Sequence, residues 1–581
     1  MRRLTKRCTI VALLSLLCLV LPLLLACAAP QEATPTAAPT TAPAPTKAPG
    51  AEPTATPKPA AKETPKPSAQ KKYGGVIRLV SSNDPVGWEP HGKVKVSHLN
   101  VRFLSFAYDR LLQYGTGPGY VPGNIEILPD LAEKWEQPDA KTYVFYLAKG
   151  TKWHNKAPVN GREFVAEDVK WTFDRLMKQS PENRLFTPLD KIEVLDKYTI
   201  KFTLKEPFAP FITNIAGQTS FILAEDAGEK TADGGRDFIK PETLIGTGAF
   251  MLDSYQTGVK AVYKKNSDYR EKGLPYLDGA QVLIVPDDST KLALFRAAQV
   301  DALVYGYPVT SQNYDEVRRT NPNLEIAKEL GAYAAENIAM RTDVPPFNNL
   351  KVRQAVSMAL DREGIKNIYF RGHAEIPVNV VPVAYGEWAL PLDKLGDAAK
   401  YYKYDVEAAK KLLAEAGYPT GFQTELHTST GYGADFVERT ELLKDYLSRI
   451  GIDAKIIVHE YTAWIQSIYA GKYDGMIHIP RWGLGDPDEY LHSYYPGDTR
   501  NHSHVDDAKL NQMIDAQRAE ANKEKRIKIA LDMQLYLAEQ AYRLYLPLQH
   551  YFSPNQPWVK DLMGAGRYDV GKSFRFVWLD K

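Results

Sequence analysis

Beyond residue 27 the chain has no cysteine: Cys8, Cys18 and Cys27 are the only three among its 581 residues. The body therefore cannot build a disulfide framework, a thiolate metal site or a thiol nucleophile. A charge excess is also lacking. Lys and Arg number 72 against 70 Asp and Glu, a net charge of +2, so there is no electrostatic footprint for nucleic acid. After the leader no apolar run is long enough to span a bilayer. Catalytic patterns are missing too, with no phosphate-cradling Gly-rich loop followed by Lys, no His-Glu-x-x-His and no Gly-x-Ser-x-Gly. Carboxylates are abundant, but no spacing singles out a glycosidase pair. No internal repeat is visible. His502-Ser503-His504, with His478 and His492 upstream, is the one metal-like cluster. Loop His-x-His pairs are usually solvated, so neither a metal site nor a cofactor is expected.

What is present begins with a leader. Arg2, Arg3, Lys6 and Arg7 precede an apolar run from Ile10 to Leu25, closed by Leu24-Leu25-Ala26-Cys27. This predicts a bacterial lipoprotein signal over 1–27, with Cys27 lipidated as the mature N-terminus. The alternative is an uncleaved anchor with a chance cysteine. Residues 28–72 are Pro, Thr, Ala and Lys with almost nothing to bury, which predicts an extended tether. The expectation is an exported body held by a lipid anchor at the outer face of the cytoplasmic membrane.

The body begins at Tyr73. Gly75 to Val80 reads as a strand, and Val101 to Tyr114 as a helix. Pro129 to Glu136 reads as a turn, Thr142 to Leu147 as a strand, Asp168 to Met177 as an amphipathic helix and Tyr198 to Leu204 as a strand. Asn348 or Asn349 is expected to cap the helix carrying Val352, Ala355, Val356, Ala359 and Leu360. Asp405 should cap Val406 to Ala416, with Gly417 as its left-handed stop. Further helices are expected over 436–450, 507–521 and 523–542. The stretch Gly451 to Pro496 organises the rest. Ile452, Ala454, Ile456 and Val458 alternate as a strand, and Thr462 is placed to cap a helix with Trp464, Ile465, Ile468 and Tyr469 on one face. Tyr473 to Ile479 is a second strand. The loop Arg481-Trp482-Gly483-Leu484-Gly485-Asp486-Pro487-Asp488 then leaves that strand's carboxyl end, where α/β folds dock ligands. An ordinary Gly-Pro turn with a buried Trp is the bland alternative. Alternation of strands and helices argues α/β.

Several of these stretches resemble the extracellular solute-binding proteins of ABC importers, in the dipeptide, oligopeptide and nickel class. They include Tyr108-Asp109-Arg110-Leu111-Leu112, Pro129-Asp130-Leu131-Ala132, Leu147 to Trp153 and Ala166-Glu167-Asp168-Val169. The likeness runs on through Gly246-Thr247-Gly248-Ala249-Phe250, Asn266 to Tyr269, Val300-Asp301, Phe347 to Ala355, Ala359 to Arg362 and Ala408 to Tyr418, and ends with Tyr473-Asp474 and Trp482 to Pro487. The resemblance implies a two-lobed, periplasmic-binding-protein-like (type II) fold whose first lobe is interrupted by an inserted domain. Lobe I would be 73–97, 236–335 and 546–581; the inserted domain 98–235; lobe II 336–545. It implies a monomer that captures a solute and delivers it to membrane permease subunits.

In the cleft so implied, Trp482 and Trp88 are expected as apolar walls, with Arg481 or Asp486 fixing a polar group. Asn83 stands beside Trp88 in the turn after the first strand, and Tyr432 is a further wall. Core packing is the alternative for each aromatic. The resemblance also implies that peptide-binding members hold the ligand's α-amino group with an Asp three residues after the Trp matching Trp482. Here that position is Gly485, followed by Asp486. Either Asp486 replaces the carboxylate or the ligand lacks a free amine. Peptide is the favoured class, with an oligosaccharide or another organic solute as the alternative and a tethered carboxylate hydrolase as the reading of a different class.

Overall fold

The first strand, Val76–Ser81, pairs in parallel with Gly279–Ile284, and Lys260–Lys265 and Phe250–Gln256 extend that sheet antiparallel. The structure is a computed structural model that describes residues 70–85, 87–92, 98–118, 126–303, 309–330, 334–432, 434–481, 485–563 and 570–581. The leader with Cys27, nearly all of the tether and Trp482 lie outside those residues. A second, antiparallel sheet orders Ala132–Asp139, Thr142–Leu147, Thr199–Leu204 and Leu189–Asp196. The helix Ala166–Gln179 lies on it and buries Val169, Phe173 and Leu176, the face its spacing predicts. A third, five-stranded sheet orders Ile452–His459, Phe422–Ser429, Met476–Arg481, Ala334–Met340 and Arg543–Tyr545, the first three parallel.

Two crossings join the five-stranded sheet to the rest. The chain passes from Leu330 to Ala334 and returns from Tyr545 to Leu548. The strands on either side of these passages pair antiparallel with each other, Glu325–Leu330 with Leu548–Asn555 and Ala334–Met340 with Arg543–Tyr545. One apolar core gathers residues from 77–302 with 559–579, and another lies wholly within 338–546. No helix among the described residues is long and apolar enough to cross a membrane.

Local chemistry accounts for most boundaries. The Asn349 side chain accepts from the Lys351 amide at the start of Leu350–Met358, and Asp405 accepts from Ala408 to open Val406–Glu415. Gly417 takes φ +94° after that helix. Elsewhere tertiary contacts override the local pattern. The helix expected over 101–114 is His98–Leu104, and Leu112–Tyr114 is a strand. The Phe106 and Ala107 carbonyls leave the helix to accept from the amides of Phe250 and Gly248, at 3.1 and 2.8 Å. A Cβ on Gly246 would sit 1.9 Å from the Ala107 oxygen, so glycine is needed there. The turn expected over 129–136 is mostly strand, Ala132–Asp139. The helix that Thr462 was expected to cap begins before it. The Glu460 carboxylate accepts from the Ala463 amide at 3.1 Å, and the helix starts at Tyr461. Ile452 and Ala454 point inward as expected, whereas Val458 is exposed at the strand's end.

Candidate functional site

Three parallel strands, Phe422–Ser429, Ile452–His459 and Met476–Arg481, end together on one side of the five-stranded sheet. Arg481 is the last residue of its strand, opposite Ala334 at the crossing. The carboxyl ends therefore lie at the side of the sheet where the chain enters it at Ala334, the side on which α/β folds dock ligands.

Residues 485–489 carry satisfied charges. Asp486 is 2% exposed and its two oxygens meet Arg526 at 2.5 and 3.0 Å. It also accepts from the Thr213 hydroxyl at 2.7 Å and the Asp488 amide at 2.8 Å. Burial pushes this carboxyl up, and the Arg526 guanidinium with its hydrogen bonds more than offsets that, holding it below the usual range. Asp488 takes Gln517 and, at 3.4 Å, Arg518. Glu489 takes Arg500 at 2.5 Å and Arg184 at 2.9 and 3.0 Å. Asp486 was expected to meet the ligand; in the structure its oxygens are committed to Arg526, Thr213 and Asp488, so it has no lone-pair site left over for an ammonium. At Gly485, with φ +116°, an added Cβ would fall 2.0 Å from the Tyr114 hydroxyl oxygen. The Tyr114 phenol, which donates to the Thr213 carbonyl at 2.8 Å, thus fills the space a side chain at 485 would need.

The aromatic expectations divide. Trp88 is 2% exposed and stands edge-on to Phe103 and Tyr255, with centroids at 6.1 and 5.0 Å. It is a core residue, not a cleft wall, because Phe103 and Tyr255 enclose its indole. Asn83 is exposed at the end of the first strand, its carbonyl accepting from Ser81 at 2.8 Å. Tyr432 is half-buried at the carboxyl end of Phe422–Ser429, its hydroxyl accepting from the Trp464 indole at 3.1 Å. Tyr461 stands edge-on to it at 5.7 Å. Tyr461 and Ile465, one helical turn apart, are 46% and 39% exposed and make an apolar shelf beside Tyr432. The sequence pattern put Ile465 on the buried stripe; Trp464 and Ile468 alone are buried. Tyr461 carried no signal, since a lone Tyr ahead of a helix is unremarkable.

Beneath the shelf a charged group is locked. Glu336 receives Arg439 at 2.6 and 2.7 Å and stands 3.3 Å from His478 Nε2. Phe436 stacks on the His478 ring at 4.1 Å. Burial raises the Glu336 carboxyl, but Arg439 outweighs it and holds the group at about 2, while burial lowers His478. His492 pairs with Asp498 at 2.7 Å, and His504 meets the Gly471 carbonyl at 2.9 Å. Among the described residues no three His, Cys, Asp or Glu side chains form a group that could hold a metal ion.

The model of the family described as "Bacterial extracellular solute-binding proteins, family 5 Middle" matches residues 126–502, more than half of the chain. The chain is 27% identical over 485 residues to the Di/tripeptide-binding protein 3 of Pseudomonas aeruginosa (strain UCBPP-PA14), covering 79% of this chain and 87% of that one. Among solved structures it is similar to the periplasmic binding protein DppA from Helicobacter pylori in complex with the peptide STSA. The TM-score is 0.71, identity is 25%, and 88% of this chain and 99% of that one are covered. It is as similar to the binding protein AgaA in complex with agropinic acid from A. tumefaciens R10, at TM-score 0.71, 25% identity and coverages of 87% and 99%.

Proposed function

Because the chain belongs to the bacterial extracellular solute-binding proteins of family 5, we propose that it captures a peptide between two lobes and hands it to the permease of an ABC importer. The match over 126–502 carries this reading, and the hinge such capture needs would lie where the chain leaves Leu330 for Ala334 and returns from Tyr545 to Leu548. The lobes would be 73–97 with 236–335 and 546–581, and 336–545, with 98–235 inserted. Tyr432, Tyr461 and Ile465 would meet an apolar part of the solute, and Arg481 and Trp482 are proposed as further ligand contacts. No catalytic step is assigned to any residue.

A second feature of the ligand follows from the loop's electrostatics. Asp486, Asp488 and Glu489 are each neutralised internally, and Tyr114 fills the space at Gly485. A buried ammonium without a carboxylate partner costs several kcal/mol. The reading is therefore of a site that ignores the amine, open to amine-blocked peptides or other organic solutes. Calorimetry should show N-acetylated di- to pentapeptides binding within about threefold of their free forms. Loss of binding on acetylation would overturn the amine-blind reading, and binding from an oligosaccharide pool alone would overturn the peptide reading.

The leader supports surface tethering. With Cys27 acylated, Cys27→Ser should move the protein from the membrane fraction into the soluble fraction. Retention of the variant in washed membranes would count against the anchor.

A further inference from the structure

His427 and His459 stand on neighbouring parallel strands, Phe422–Ser429 and Ile452–His459, near their carboxyl ends. His427 Nδ1 faces His459 Nε2 at 2.9 Å, and the rings, 23° apart in plane, meet edge to edge with centroids at 5.2 Å. The other nitrogen of His427 lies between two acceptors, the Asp474 carbonyl at 3.1 Å and the Glu425 carboxylate at 3.1 Å. That nitrogen carries the hydrogen, so Nδ1 is left to accept from His459. His427 is buried and His459 half-buried.

We propose that this pair is a one-proton switch behind the shelf of Tyr432, Tyr461 and Ile465, charged at His459 in mild acid and weakening the hold on solute. A single added proton goes to His459 Nδ1, where it leaves the bond between the rings intact. A second would have to enter the line between the rings, against the His459 N–H, so the pair stops at one. The charged groups around it are few. Glu425 shares a strand with His427, Glu460 follows His459, and Asp474 and Arg341 lie beyond the Tyr473 ring, which stands 5.9 Å from His427. Burial opposes charge on both rings and Glu425 favours it, with burial the larger, so uptake falls below the ordinary histidine value. The His459 ring lies 5.9 Å from the Trp464 indole, whose N–H donates to the Tyr432 hydroxyl at 3.1 Å. The next residue, Glu460, anchors the helix that presents Tyr461 and Ile465. A solute laid on this shelf takes water from beside His459, and an imidazolium loses more by that than a neutral ring. Solute and proton therefore oppose each other, by the same factor in both directions.

The effect on solute rests on the solute-binding reading and the proton itself does not, so the two are tested apart. In unliganded protein, histidine magnetic resonance between about pH 8 and pH 5 should show His459 taking a proton while His427 stays neutral with its hydrogen on Nε2. Tryptophan emission should fall with the same midpoint, since imidazolium quenches a neighbouring indole. His459→Gln, whose amide can still donate to His427, should lose that step. Glu425→Gln keeps an acceptor for His427 and removes the nearest charge, so the His459 midpoint should drop by about half a unit. Calorimetry with the di- to pentapeptide pool should show binding about fivefold weaker at pH 5 than at pH 7 in the parent, and nearly level in His459→Gln. A His459 that does not titrate, or two rings that titrate together, would overturn the switch. The same pH dependence of affinity in parent and His459→Gln would overturn it equally. A pool without a binder at any pH would overturn the peptide reading alone, and the unliganded titration then decides the switch.

Discussion

Lys572→Met is expected to destabilise the protein by about 3–5 kcal/mol, the usual cost of breaking a buried ion pair on one side. Lys572 is buried with Asp109, at 2.5 Å, and with Asp130. Arg270 bridges the same two carboxylates, Thr247 donates to Asp109 at 3.0 Å, and the Arg110 amide donates to Asp130 at 3.1 Å. Two negative and two positive groups balance. Burial alone would raise the Asp109 carboxyl, and Arg270 and Lys572 together hold it below its ordinary range. Removing the ammonium leaves a net negative charge without solvent to receive it. Lys572→Met should lower the denaturant midpoint, and adding Asp130→Asn should restore most of the loss, since that pair of changes removes one charge of each sign. A double variant as unstable as the sum of its parts would show that the four groups do not act together.

That network explains why some sequence stretches carried information and others did not. Asp109 and Asp130 sit in two of the stretches that carried the family resemblance, and the structure gives their reason. They tie residues distant in sequence, at separations of 463 and 442, to the C-terminal segment. Strong local signals were legible. The helix Ala166–Gln179, the Asp405 cap and the strand Ile452–His459 follow from spacing and side-chain chemistry within a few residues. The end of the helix at Leu104 was not legible, because carbonyls 106 and 107 are claimed by residues 250 and 248. The site was read less well for the same reason. Asp486 looks like a free loop carboxylate until Arg526 is brought beside it, and Trp88 looks like a cleft wall until Tyr255 and Phe103 enclose it. Tyr432, read from its place after a strand, does stand at the carboxyl end of the sheet, beside an apolar shelf that no periodicity revealed.

Acidification from pH 6.5 to pH 5 is expected to remove about 2 kcal/mol of stability for each of two buried histidines, His91 and His154. His154 Nδ1 accepts from the Gly246 amide at 3.2 Å, and its Nε2 meets the Gly248 carbonyl at 3.0 Å. That geometry fixes one neutral tautomer, because a proton on Nδ1 would face the amide hydrogen. Burial lowers His154 to about 4; the Gly248 hydrogen bond and Asp109 oppose it only partly. His91 is fully buried with Nε2 on the Thr219 carbonyl at 2.8 Å, and burial followed by the Arg175 charge takes it to about 3. Both folded values lie below the unfolded value near 6.5, so the unfolded chain binds more protons throughout this window. Stability is therefore full above pH 6.5 and falls as the pH drops toward 4 and 3. The depressed carboxylates do not mask the effect, since they lose stability only below about pH 4, where the unfolded chain begins to protonate. His427 and His478, both lowered by burial, shift in the same direction. Unfolding free energies measured by denaturant at pH 7, 6 and 5 should fall with a slope that lessens by about 1.4 kcal/mol per pH unit in His154→Gln, whose amide oxygen can still accept from Gly246. An unchanged slope in that variant would mean that His154 is already protonated in the folded protein, and the hydrogen-bond assignment at Gly246 would be wrong.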